Sequence, residues 1–333
     1  MLTEDIPRLR LAHLPTPLEE MSNLTQRLKG PRLLIKRDDQ TGLATGGNKT
    51  RKLEYLMADA LAQEADTVVT LGAAQSNHAR QTAAAAAKLG LRAVLLLRGE
   101  EPPQRSGNLL LDSLLGAEVR WLGDTHPGRI DVEPVMEELR ERGLKPYLIP
   151  YGASNEVGVL GYIQAMKELL EQLEEKGKKS DYMILASSSG GTQVGLVLGA
   201  KIYGYEGKII GISVDLKKGA LLNRLINLAR ATVARWGFDI SLDRDDFIVY
   251  DDYLGEGYGV LGPPEVEAIN LMAQTEGILL DPIYTGRAMA GLLDLIQRAT
   301  FRPHEAVIFW HTGGTPALFA YAQELSRSPR TGR

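Results

Sequence analysis

Short aliphatic runs alternate with helical patterns along almost the whole chain, and this alternation limits the possible folds more than any other feature. Strands are expected at residues 33–36, 67–72, 92–97, 118–122 and 146–149, then at 182–186, 208–214, 246–250 and 306–310. Helical patterns fill the intervals, at 53–61, 79–89, 109–115, 132–142, 157–176, 193–203, 221–236, 264–276, 287–299 and 316–326. A near-continuous aliphatic strand has no polar face for solvent, so it belongs in a parallel sheet covered by helices on both sides. Two such series flank the long amphipathic helix at 157–176. The strands holding Val68, Val94, Val119 and Leu148 are expected to form one sheet, and those from Met183 onward another. Leu14-Pro15-Thr16-Pro17-Leu18 reads as an extended lead-in, because proline removes donors and restricts its predecessor. The expected fold class is α/β with two open, mostly parallel sheets. The tail at 328–333 is expected to be disordered.

A chain of 333 residues has room for two domains. The net charge of −4 gives no reason to expect nucleic acid or a membrane surface as a partner. The absence of cysteine excludes disulfides and thiolate catalysis. No apolar run reaches the roughly 18 residues of a membrane span. The acidic start Met1-Leu2-Thr3-Glu4-Asp5 lacks the apolar segment of a secretory signal, so a cytoplasmic location is expected. His13, His78, His126, His304 and His311 show no i,i+4 pairing, and no catalytic metal is expected. The acidic pairs Asp38-Asp39 and Asp251-Asp252 read as solvated or capping residues.

Ligands of open parallel sheets lie beyond the carboxyl ends of the strands, so function is sought there. The most informative stretch is Gly46-Gly47-Asn48-Lys49-Thr50-Arg51-Lys52, leading into an apolar helical face at Leu53, Leu56, Met57, Ala60 and Leu61. Lys49 thus lies at a loop-to-helix junction. Glycines there let the backbone approach a ligand closely, and the positive end of the helix disfavours an ammonium. A neutral lysine attacks carbonyls and forms Schiff bases. The competing reading makes Lys49 one more solvated cation among 38 Lys+Arg; the glycine pair shifts the balance without deciding it. A nucleotide-type phosphate loop is rejected. Gly42 and Gly47 have its separation, but Asn48 intrudes before Lys49-Thr50, and polar residues 36–40 feed the loop.

Gln75-Ser76-Asn77-His78 follows the run at 67–72. One such residue would suffice for a helix cap, and four in a row favour a functional reading. Ser187-Ser188-Ser189-Gly190-Gly191-Thr192 precedes a helix and reads as a phosphate cradle. It lacks the spacing of a dinucleotide site, so a single phosphate is expected. Asp281-Pro282-Ile283-Tyr284-Thr285-Gly286 and His311-Thr312-Gly313-Gly314 follow the stretches 278–280 and 307–310 and are read the same way. Tyr258, in a glycine-flanked loop, either faces a ligand or staples the loop. A Schiff-base lysine, a monophosphate cradle and several hydroxyl-bearing loops point to pyridoxal 5'-phosphate (PLP).

The lysine motif through Leu53-Glu54-Tyr55, with Gln75-Ser76-Asn77-His78, Asp281–Gly286 and His311–Gly314, resembles the D-cysteine desulfhydrase / 1-aminocyclopropane-1-carboxylate (ACC) deaminase family. The resemblance runs from Thr16-Pro17-Leu18 to Tyr321. The lysine motif is its specific part, whereas the Ser-Gly turn is shared by many PLP lyases. The resemblance implies the tryptophan synthase β-like PLP fold (fold type II), a homodimer and a small amino-acid substrate. It implies a large PLP-binding domain at 1–50 and 158–333, with a small inserted α/β domain at 51–157. Lys49 would hold PLP as a Schiff base and serve as the base once freed. Asn77 would bind the ring hydroxyl, and Ser76 the substrate carboxylate while assisting proton transfer. Ser189, Gly190, Gly191 and Thr192 would form the phosphate cradle. Tyr258 and Tyr284 match two active-site tyrosines, and Thr285 and Thr312 would line the ring and substrate side. Asn48 is grouped with the cofactor and His78 with the substrate. Tyr151-Gly152 and Ser187-Ser188-Ser189 depart from a more glycine-rich family pattern.

The reaction so implied is β-elimination of D-cysteine to pyruvate, ammonia and hydrogen sulfide. The alternatives are ACC deamination, a related lyase acting on L-cysteate or serine, and a non-catalytic ligand-binding relative. In relatives that open ACC, glutamate follows the second tyrosine and leucine occupies x of His-x-Gly-Gly; here those positions are Thr285 and Thr312. A carboxylate at the pyridine nitrogen strengthens the electron sink that ring opening needs, whereas thiolate leaves with less help. The expectation is therefore D-cysteine.

Overall fold

Ten strands form two separate sheets in the computed structural model, which describes residues 5–125 and 130–326. They are β1 (Leu18–Glu20), β2 (Arg32–Arg37), β3 (Thr67–Ala73), β4 (Arg92–Arg98), β5 (Glu118–Trp121), β6 (Pro146–Ile149), β7 (Tyr182–Ser187), β8 (Lys208–Ser213), β9 (Ile248–Tyr250) and β10 (Ala306–His311). The larger sheet has the order β1-β2-β10-β7-β8-β9 and the smaller the order β5-β4-β3-β6. All pairs are parallel except β1 with β2. The chain lays down β1 and β2, builds the small sheet, and then returns to complete the large one. This is the α/β class the aliphatic runs imply. His126 and the tail at 328–333 lie outside the described residues.

Alternation along the strands sorts the core into layers. Leu34, Ile308, Val68 and Leu95 belong to one cluster containing residues of both sheets, joined by Leu160 and Ile163 of the helix Leu160–Glu175. Their neighbours Leu33, Ile35, Val307 and Phe309 face the other way, onto Ile269, Met272, Met289 and Leu292. Val69, Leu71, Val94 and Leu96 pack on Met136 and Leu139. The helix Gly191–Tyr203 presses against Leu160–Glu175 so closely that a Cβ on Gly195 would lie 2.3 Å from that of Tyr162. Among the described residues no helix is long and apolar enough to cross a membrane.

Several local expectations change. The lead-in ends in β1, an antiparallel edge strand that pairs Leu18 with Lys36. The short helix Ser22–Leu28 buries Leu24 and is too brief to show a period in sequence. The stretch 278–280 lies in a connection between the helices Pro263–Glu276 and Thr285–Gln297. The helix expected at 316–326 is two short ones, Ala317–Ala320 and Ala322–Ser326.

The largest correction concerns Asp38, which is fully buried rather than solvated. Its carboxylate accepts from Arg51 Nη2 at 2.9 Å, Trp310 Nε1 at 2.8 Å, the Thr16 hydroxyl at 2.9 Å and the Tyr162 hydroxyl. Arg51 also grips both oxygens of Glu168, at 2.8 and 2.9 Å, and buried Lys36 donates to Glu168 and Gln172 at 2.6 Å each. One polar cluster thereby joins β2, β10, the lysine helix and the helix Leu160–Glu175. Burial alone would raise the Asp38 pKa; the Arg51 charge and hydrogen bonds outweigh it and hold the carboxyl below its ordinary range. A depressed carboxylate contributes stability above its unfolded-state pKa and loses it as pH falls through the folded value. Asp38→Asn is therefore expected to cost about 3 kcal/mol at neutral pH, with the difference shrinking in acid. Urea unfolding measures this; a loss under about 1 kcal/mol would show the cluster to be dispensable.

Candidate active site

A cleft opens beside the carboxyl ends of β3, β6, β7 and β10. Of the expected residues, Asn48, Lys49, Ser76, Asn77, His78, Ser189, Gly190, Thr192, Tyr284 and Thr312 line it. Gly191, Tyr258 and Thr285 do not.

Lys49 is the first residue of the helix Lys49–Ala62. The loop before it is contorted: Ala44, Thr45, Gly46 and Gly47 all have positive φ, at 44°, 72°, 70° and 128°. Arg80 clamps it by donating to the carbonyls of Ala44 and Gly46, and the Thr50 amide donates to Gln81 Oε1 at 2.9 Å. The two glycines serve this packing rather than ligand approach. A Cβ on Gly46 would lie 2.0 Å from the Asp39 carbonyl oxygen, and one on Gly47 2.5 Å from Gln81 Nε2. The glycine that keeps the cleft open is Gly152, where a Cβ would lie 2.2 Å from Ser189 Oγ and 3.6 Å from Lys49 Nζ. The Lys49 ammonium is shifted down to about 8, and burial rather than the helix end is the main cause. Lys52, one turn on, is also buried and lies well below its ordinary value, through burial and then the Lys49 charge.

Lys52 Nζ donates to the Gly152 carbonyl and to Ser154 Oγ, each at 3.2 Å. Ser154 Oγ in turn accepts from the Gly191 amide at 3.1 Å and lies 2.8 Å from Ser189 Oγ. Asn48 Nδ2 reaches Thr192 Oγ1 at 3.0 Å, and the Asn48 amide donates to the Thr312 carbonyl at 3.0 Å. The first turn of Gly191–Tyr203 therefore lies beside the buried Lys52 amine. Gly191 is a backbone contributor whose Cα faces Ser154 and Lys52, which explains its absence from the wall.

Ser76 both lines the cleft and caps the helix Asn77–Leu89, its Oγ accepting from the Ala79 amide at 3.1 Å. His78 Nε2 lies 2.7 Å from Thr70 Oγ1. Burial, then the charges of Lys49 and Lys52, hold its pKa far below the usual value, so the ring is neutral. Tyr258 stands behind Tyr284, with hydroxyls 2.6 Å apart and rings edge to face. Burial raises both phenols well above 10 and keeps them protonated. Thr285 starts its own helix, and its hydroxyl is engaged by Asp281: it donates to Oδ1 and accepts from the amide, both at 2.7 Å. That local capping removes Thr285 from the wall.

A family model described as pyridoxal-phosphate dependent enzyme matches residues 9–313. The chain belongs to that family. A solved ACC deaminase homologue is similar to it at 38% identity and a TM-score of 0.89, covering 97% of this chain and 96% of the other. Two more distant structures share the fold. Diaminopropionate ammonia lyase from Escherichia coli has 18% identity, a TM-score of 0.65 and coverage of 94% and 86%. The processed threonine deaminase isoform 2 from Solanum lycopersicum has 17% identity, a TM-score of 0.64 and coverage of 97% and 84%. The fold is that of the tryptophan synthase β-like, type II PLP enzymes, and the cofactor is PLP.

The residues present fit that cofactor. The start of a helix suits a phosphate, whose negative charge would favour protonation of the adjacent Lys52 amine, and the Ser187 hydroxyl on the wall is buried without a hydrogen-bond partner among the described residues. Lys49 supplies a buried amine of lowered basicity. Among the described residues no group of three or more histidine or acidic side chains could hold a metal ion. Gly152, Ser154 and Gln193 carried no site signal in the sequence, but two residues that escaped the sequence reading had one. Lys52 stands at i+3 from Lys49, a spacing that returns to the same helix face. Tyr151 stands two residues past the end of β6, where the strand-end rule pointed. Only a neutral amine attacks an aldehyde, so the rate at which apoprotein joins PLP is expected to rise with pH through about 8. Stopped-flow absorbance across that range measures it; a midpoint near 10.5, the ordinary lysine value, would contradict the burial.

Proposed function

We propose that this enzyme eliminates hydrogen sulfide from D-cysteine, releasing pyruvate and ammonia with consumption of one water. The observation that carries the reading is the composition of the wall. Amine, amide, imidazole and hydroxyl groups line the cleft, and among the described residues no Asp or Glu does. Opening the ACC ring expels no stable leaving group and depends on a strong electron sink. The position after Tyr284 offers no carboxylate, and nearby Asp281 is occupied by the amides of Ile283, Tyr284 and Thr285.

When bound, PLP delocalises the electron pair left on the substrate Cα. Lys49, partly neutral near its pKa of about 8, is placed to take the Cα proton. Ser76 uses its oxygen as an acceptor in the helix cap, so its proton is available to the substrate carboxylate. Asn77 would donate to the ring hydroxyl, Thr312 and His78 close the wall, and the Ser189–Thr192 turn with Lys52 would hold the phosphate. Tyr284 offers a hydrogen bond to the departing sulfur, and Tyr258 behind it holds the Tyr284 hydroxyl in place. The family resemblance supports a homodimer of the cytoplasm as the working form.

The 38% identity to an ACC deaminase homologue favours ACC deamination as the second reading. Pyruvate release across D-cysteine, L-cysteine, β-chloro-D-alanine, L-cysteate and ACC separates the two. The expected kcat/KM for D-cysteine exceeds that for ACC by at least about tenfold. A larger constant for ACC would overturn the proposal. Turnover of none, with PLP bound, would identify a non-catalytic relative.

A further inference from the structure

Asn77 faces the cleft with a side-chain amide whose two ends have opposite hydrogen-bonding character. Which end points inward decides whether it can donate to a ring oxygen. The surroundings fix this without ambiguity, because the chain of contacts begins at a group that can only donate. Arg80 Nε donates to Asn108 Oδ1 at 3.0 Å. The Asn108 oxygen is thereby identified, and its Nδ2 is left to donate to the Gln75 carbonyl at 3.0 Å and to Asn77 Oδ1 at 2.9 Å. The Asn108 amide, donating to Gln75 Oε1 at 2.8 Å, holds the residue in place. With its oxygen so occupied, Asn77 turns Nδ2 the other way, toward Gly314, where a Cβ would lie 2.7 Å from that nitrogen. Arg80 and Asn108 are both fully buried.

We infer that Asn108 is a positioning residue for the cofactor, orienting the Asn77 amide so that its NH₂ rather than its oxygen is offered to the PLP ring. This rests on the reading of Asn77 as the ring-hydroxyl partner. Arg80 is the polarity source of the relay, and the same guanidinium holds the loop before Lys49. The lysine and the ring amide are thus set by one buried cation.

Asn108→Asp is the discriminating substitution. It is nearly isosteric and keeps the Arg80 contact, but it presents an acceptor to Asn77 Oδ1. Relief requires the Asn77 amide to turn over, which places an oxygen against the ring. The dissociation constant for PLP, from titration of apoprotein, is measured for Asn108→Asp and Asn108→Ala in the native chain and in an Asn77→Ala chain. Circular dichroism and thermal melting of each apoprotein establish folding. The expected result is a weakening of about 10–100-fold for Asn108→Asp, with a smaller one for Asn108→Ala. Both should fall below about threefold in the Asn77→Ala chain. A packing role predicts the reverse order, since aspartate fills the site better than alanine. Equal losses in both backgrounds, that reverse order, or no loss in the native chain would overturn the inference. If Asn108→Asp does not fold, the Asn108→Ala pair carries the same test. An Asn77→Ala chain that binds PLP normally would instead remove the reading of Asn77, and the inference with it.

Discussion

A carboxylate remains ionised in a protein interior only where charge and hydrogen bonds replace its lost hydration. Asp38 meets that demand chiefly through Arg51, and this contact dictates the shape of the chain between them. The backbone leaves β2 at Arg37 and must double back so that a residue in the first turn of the next helix returns to Asp38. The Gly47 amide closes onto the Asp38 carbonyl at 3.0 Å, and the intervening loop passes through four consecutive positive φ values. Lys49 therefore emerges where it does because Arg51, two residues later, is already committed. Glu168, Lys36, Tyr162 and Trp310 complete the cluster and tie that point to the large sheet. Arg80 and Gln81, on the helix after β3, tie it to the small one.

The chemistry follows from the same principle applied at the cleft. Burial penalises every charge there, so the amines lose basicity, the imidazole stays neutral and the phenols keep their protons. Such a site is poor in fixed anions and holds two amines close together. A phosphate held at that helix start would provide the negative charge that this arrangement lacks. The lowered basicity of Lys49 suits both Schiff-base formation and proton transfer near neutral pH.

What was legible in the sequence was local. The strands of both sheets read as aliphatic runs because their burial on two faces leaves no polar alternation. The polar turns were visible because each follows an aliphatic run, and the lysine motif because its glycine pair precedes an apolar helical face. What was hidden depended on partners distant in the chain. Asp38 looked solvated until Arg51, Tyr162 and Trp310 closed over it. Gly46 and Gly47 were read as making room for a ligand, but the atoms that forbid a side chain there belong to Asp39 and Gln81. Thr285 fell away because Asp281, four residues earlier, takes its hydroxyl. Tyr258 is off the cleft wall, with its hydroxyl 2.6 Å from that of Tyr284, a partner 26 residues away. Lys52 and Tyr151 could have been found, the one by helical spacing and the other by its place after β6.

Lys49 and Lys52 are both buried, both lowered in basicity and in contact, so assigning the cofactor to one of them is the decisive step. Borohydride reduction of the PLP-loaded enzyme followed by peptide mapping reads the attachment point directly. A single pyridoxyl adduct on Lys49 is the predicted result. An adduct on Lys52, or on any other lysine, would contradict the site as built here.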